Sequence, residues 1–92
     1  MKTPDELELK DRVLAIYGRA RPTLDESTKA AVEHYLDHDE FEMAFEGLCI
    51  EMVKCGSLSR DDAVPFIELA TALGLDTEAS FDEHIVAKLK AI

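Results

Sequence analysis

Between residues 41 and 55 the side chains of Phe41, Ala44, Phe45, Leu48, Met52 and Cys55 recur at three-and-four spacing. That period lines them up on one face of an α-helix and is incompatible with the two-residue period of a strand. Gly56 follows at the position where a left-handed residue ends a helix. The same spacing recurs in Leu9, Val13, Ile16, Tyr17 and Ala20, with Gly18 and Pro22 at the exit. It returns in Leu24, Thr28, Ala31, Val32, Tyr35 and Leu36, in Phe66, Ile67, Ala70 and Leu73, and in Phe81, Ile85, Leu89 and Ile92. No segment of four or more residues alternates apolar and polar with β-branched enrichment, so a sheet has no candidate strands. The predicted fold is all-α, a compact antiparallel bundle of four to five helices with short connections.

Capping chemistry sets the expected boundaries. Thr3-Pro4-Asp5-Glu6 combines an N-cap, a proline at the first helical position and a glutamate three residues on, which starts helix 1 and carries it to about Arg19. Thr23-Leu24-Asp25-Glu26 repeats the pattern for helix 2, which stops near Asp37, and Asp39 is placed to cap helix 3. Ser57 to Asp62 supplies turn and cap residues before helix 4. Pro65 is tolerated only in a first turn, so either Asp61 or Asp62 is the cap or a short helical turn precedes a kink. Gly74 with Leu75 fits a Schellman ending. Ser80-Phe81-Asp82-Glu83 offers a further capping box, and helix 5 starts there or as early as Asp76.

A chain of 92 residues fits one domain spanning 1–92 and lacks the mass for a second core. Its apolar residues are spread along the whole length, and its charge-free stretches fall short of the roughly 18 to 20 apolar residues of a membrane span. The N-terminal segment is acidic and lacks the basic-then-apolar order of a secretion signal. Cys49 and Cys55 lie six residues apart on one predicted helix, about 9 Å along its axis, so both are expected as reduced thiols, in keeping with a cytoplasmic protein. Twenty acidic against ten basic side chains give a formal charge of -10. Such a field repels nucleic acid and anionic membranes, and it accelerates encounter with a basic protein.

No constellation of catalytic residues is present, so no enzyme activity is expected. His34 and His38 stand four apart as in zinc-binding helices, but Tyr35 replaces the glutamate of a zinc protease and no third ligand has a supporting spacing. Residues 76–87 begin like a calcium loop, yet Phe81 stands where glycine is required and Ala87 where a bidentate glutamate is required. No phosphate-cradling glycine loop occurs, neither cysteine has basic neighbours, and no metal, cofactor or small-molecule substrate is expected. Asp25-Glu26-Ser27-Thr28 does not supply the Asp-Ser-Leu site of a carrier protein.

Charge placement is the remaining feature. Between Lys29 and Lys54 the chain carries Glu33, Asp37, Asp39, Glu40, Glu42, Glu46 and Glu51 without one lysine or arginine. Asp39, Glu40 and Glu42 suit a helix N-terminus, where the dipole favours anions. Asp37 lies at an unfavourable helix C-terminus, and Glu42 with Glu46 form a like-charge pair at i, i+4. Self-repulsion of this kind fits complementarity to a basic partner, with Tyr35 and Phe41 as aromatic anchors, and it equally fits a solvated face of a highly charged protein. The expected binding surface is Glu33, Tyr35, Asp37, Asp39, Glu40, Phe41, Glu42 and Glu46.

The hairpin from Tyr35-Leu36-Asp37-His38 through Asp39-Glu40-Phe41-Glu42 to Met43-Ala44-Phe45-Glu46-Gly47-Leu48 resembles the central motif of MafI-type immunity proteins. These are small acidic helical proteins encoded beside polymorphic bacterial toxins, including those of contact-dependent growth inhibition (CdiI-like proteins). In that family an aromatic and an aliphatic residue end one helix, His or Asn with Glu forms the turn, and Ala followed by Glu and Leu packs the next helix. Phe66 to Leu73 with its Gly-Leu exit is similar to a later helix of the family, and the likeness spans roughly residues 10 to 75. The resemblance implies an antitoxin that neutralises the C-terminal domain of a cognate toxin, often a nuclease, as a one-to-one protein inhibitor in the cytoplasm. It carries no catalytic or interface residues. The competing expectation is an acidic adaptor that docks a partner helix in an apolar groove.

Overall fold

The computed structural model describes residues 6–56 and 58–92. Five α-helices follow in order: α1 (Glu6–Ala20), α2 (Glu26–Asp37), α3 (Phe41–Cys55), α4 (Arg60–Ala72) and α5 (Ile85–Lys90), with a 3-10 turn at Arg21–Thr23. Among the described residues there is no strand, and the fold is all-α. The start of helix 1 expected at Thr3 to Asp5 lies outside the described residues.

Each helix buries most of the stripe its periodicity marks, with Ala31 of α2 an exception that stays exposed. Val13, Tyr17 and Ala20 of α1, Val32 of α2, and Phe66, Leu69 and Ala70 of α4 meet in one apolar cluster with Ile85, Val86 and Leu89 of α5. α3 is the central element, in contact with α1, α2, α4 and α5. Its buried arc is correspondingly wide, taking in Phe41, Ala44, Phe45, Leu48, Cys49 and Met52. Phe45 stacks on Phe66 with ring centroids 5.7 Å apart, a pairing that contributes about 0.5–1.5 kcal/mol beyond the burial of its area. Cys55, read as the last residue of the α3 stripe, is exposed.

Local chemistry moves several boundaries. Asp25, rather than Thr23, caps α2: its Oδ1 accepts the Thr28 N–H at 2.7 Å, while the Thr23 hydroxyl turns back to the Ala20 carbonyl. The Pro22 turn delays the α2 cap by two residues, because a residue already in a 3-10 turn is not extended as an N-cap must be. Asp39 does not cap α3. It adopts a left-handed backbone with φ 57°, which closes the turn, and Glu40 takes the cap position without a side-chain bond. α4 starts at a Ser59 cap, whose Oγ accepts the Asp62 N–H at 3.1 Å, so neither Asp61 nor Asp62 is the cap and Pro65 lies inside the helix. The missing Pro65 N–H leaves the Asp61 carbonyl, on an exposed residue, to solvent.

The end of α4 is a Schellman motif. Gly74 is left-handed at φ 79°, Leu75 N–H reaches back to the Ala70 carbonyl at 3.0 Å, and the Leu75 side chain is buried. The turns that follow run to His84, so helix 5 is a short C-terminal segment and starts at neither Asp76 nor Ser80.

Candidate functional site

Four of the eight residues expected at the binding surface are engaged elsewhere. Glu46 is 0% exposed. Its carboxylate accepts three successive backbone N–H groups, Ser80 at 2.7 Å and Phe81 and Asp82 at 2.6 Å. Transfer of a carboxylate out of water costs several kcal/mol, and short charge-assisted bonds from a concave run of amides offset that cost without any cation. Glu46 is therefore a latch between α3 and the 80–82 turn, and it does not belong to an accessible acidic face. The like-charge pair with Glu42 does not exist on the surface. The capping box expected at Ser80 to Glu83 fails for the same reason, since the Ser80 N–H that the Glu83 side chain would have taken already serves Glu46.

Phe41 is the second correction. It is buried in the core at the first position of α3, so it packs the fold and does not anchor a partner. Glu33, the third, faces α1: its Oε2 accepts from the Tyr17 hydroxyl at 2.5 Å and from Arg21 Nε at 3.3 Å. The Tyr17 hydroxyl and then Arg21 hold the Glu33 carboxyl below its ordinary range. Burial first, and then the Glu33 carboxylate, push Tyr17 up to about 12. Asp39 is exposed but bridged to Lys10 at 2.6 Å, which lowers its carboxyl in turn. Lys10 of α1 and Arg21 of the 3-10 turn thus neutralise part of the hairpin from within the molecule.

What remains is compact. Asp37, Glu40 and Glu42 are exposed and, among the described residues, none is paired with a cation. They occupy the last residue of α2, the turn and the first turn of α3. Glu40 and Glu42 gain from the α3 dipole, whereas Asp37 opposes that of α2. Tyr35 is half-buried one turn earlier, its ring centroid 5.6 Å from His34 and 5.9 Å from Phe81. His38 Nδ1 lies 2.8 Å from the His34 carbonyl, and the two imidazole centroids are 4.6 Å apart. Among the described residues no set of three or more potential ligands is gathered around a metal position.

Phe81 is the residue that sequence reasoning placed wrongly. Its helical spacing with Ile85 suggested a core position, yet it is 49% exposed on the turn that Glu46 fixes. The available signal was Glu46 itself, an acid set between the apolar pairs Ala44-Phe45 and Leu48-Cys49 on the most apolar helix of the chain. A separate groove of about 280 Å³ lies between α1 and α4, walled by Ile16, Ala20, Met52, Leu58 and Phe66 and edged by Asp61 and Asp62. Cys49 is buried, and burial followed by the nearby Glu46 pushes its thiol up, away from nucleophilic use. Among the described residues no helix is long and apolar enough to cross a membrane. No protein-family model, curated protein or solved structure matches this chain.

Proposed function

We propose that this chain is an immunity protein of the MafI type that binds the basic C-terminal domain of a cognate bacterial toxin, a nuclease by preference, and neutralises it stoichiometrically in the producing cell's cytoplasm. The supporting observation is that Asp37, Glu40 and Glu42 stay exposed and, among the described residues, unpaired with any cation at one end of the α2–α3 hairpin, even after Lys10 and Arg21 have neutralised their neighbours. Carboxylates clustered beside a nuclease's phosphate-binding groove would complement it electrostatically and speed association. The role needs no catalytic step, only a rigid surface, and α3 holds the hairpin rigid through its burial on four sides.

The groove between α1 and α4 favours a second reading, an adaptor that docks an amphipathic helix. Salt separates the two. Reversing Asp37, Glu40 and Glu42 to lysine and raising ionic strength should both slow association if the hairpin is the interface. An association rate insensitive to both would transfer the interface to the apolar groove.

A further inference from the structure

We infer that Phe81 and Tyr35 form an aromatic anchor that takes an arginine side chain from the surface of a basic protein partner. The inference rests on the reading of the partner as basic and adds where, and by what contact, it is gripped. An exposed phenylalanine on an ordinary turn gains nothing in water, and such turns are free to swing. This one is different, because three consecutive amides around Phe81 are fastened to a carboxylate that is itself fully buried in the central helix. The turn holds Phe81 half in solvent with its ring centroid 5.9 Å from Tyr35, at an interplanar angle of 51°. Two tilted rings of this kind offer their π faces at little further entropic cost to binding.

Charge identifies the occupant. Glu78 and Glu83 are exposed within three residues of Phe81 in sequence, Glu83 lying 3.5 Å from the exposed His84, and the chain as a whole carries a formal charge of -10. Asp82 is already neutralised by Lys88 at 2.6 Å. A ring pair on so acidic a chain favours a cation that is also planar and apolar on its faces. Guanidinium meets that description better than ammonium, since it stacks on aromatic rings while its N–H groups reach carboxylates. The contact does not require the α1–α4 groove.

The test is a titration of the isotope-labelled chain, followed by nuclear magnetic resonance, with an eight-residue alternating glycine and arginine peptide and with its uncharged citrulline counterpart. The expected result is shifts centred on Tyr35 and residues 80–82 with the arginine peptide alone, a loss of about fivefold in affinity for Phe81→Leu, and recovery in Phe81→Trp. Melting curves of both variants should match the parent, since Phe81 is outside the core. Shifts on Asp37, Glu40 and Glu42 that spare Tyr35 and Phe81 would overturn the anchor and leave the basic-partner reading standing. Equal binding of the two peptides would overturn both. Shifts at Phe81 that depend on protein concentration without peptide would assign this face to a second copy of the chain and overturn the inference.

Discussion

The Glu46 carboxylate on α3 accepts the Phe81 N–H at 2.6 Å across 35 residues of chain. The same oxygen takes the Asp82 N–H, and the other takes that of Ser80. One side chain on the central helix thereby sets the path of the segment between α4 and α5 and decides where its aromatic residue is displayed.

Glu46→Gln keeps the shape but places an amide NH2 where an acceptor is needed, so at least one part-buried N–H loses its partner and the remaining bonds lose their charge assistance. The expected loss is about 2–3 kcal/mol in urea unfolding. Glu46→Lys should cost more, because it places a cation against three amide donors. An unchanged urea midpoint for Glu46→Gln would mean the latch contributes nothing to folding.

Phe45 is fully buried and stacked on Phe66. Phe45→Ala should destabilise the fold by about 3–5 kcal/mol and Leu48→Ala by about 2–5 kcal/mol. Equilibrium denaturation checks both, and melting temperatures equal to the parent's would refute the packing of α3.

The pH response follows from four carboxyls held below their ordinary range: Asp25 by the Thr28 amide, Glu33 by the Tyr17 hydroxyl, Asp39 by Lys10 and Asp82 by Lys88. A folded-state value below the unfolded one gives stability that is present above the unfolded value and lost as pH falls through the folded one, here from about pH 4 downward. Melting temperature should drop between pH 4 and 2, and a flat profile there would contradict the pairings. Tyr17 acts at the other limb. Its value is raised to about 12, so its contribution is complete below about pH 10 and vanishes as pH passes 12. In a Tyr35→Phe chain, which retains Tyr17 as its one tyrosine, phenolate absorbance should rise near pH 12.

Reversal of Asp37, Glu40 and Glu42 to lysine should leave helicity nearly unchanged and lower melting only slightly, since among the described residues none of the three has a cation partner to lose, and the dipole stabilisation lost at Glu40 and Glu42 is partly offset by that gained at Asp37. Circular dichroism checks this. A collapse of helicity would show that these acids hold the hairpin together and are not spare surface.

Helices were legible because periodicity is a property of the chain itself: the stripes of α1 to α4 and the glycine endings at Gly56 and Gly74 needed no knowledge of neighbours. Caps were less so, since Thr23, Asp25, Asp39 and Ser59 are all competent and the choice among them depends on the path of the preceding turn. The site was legible only in part. Asp37, Glu40 and Glu42 are exposed as their spacing implied, but Glu33 and Asp39 are claimed by α1, Phe41 by the core and Glu46 by a turn distant in sequence. Those are tertiary contacts, and local charge patterning carries no information about which cation or amide will arrive beside an acid. Phe81 was hidden by the same fact.

The central claim is neutralisation of a toxin by direct binding, and the most direct test is co-expression with the C-terminal domain of the product encoded immediately upstream. The account predicts that the chain rescues growth and co-purifies with that domain as a one-to-one complex. Absence of both the complex and the rescue would contradict it.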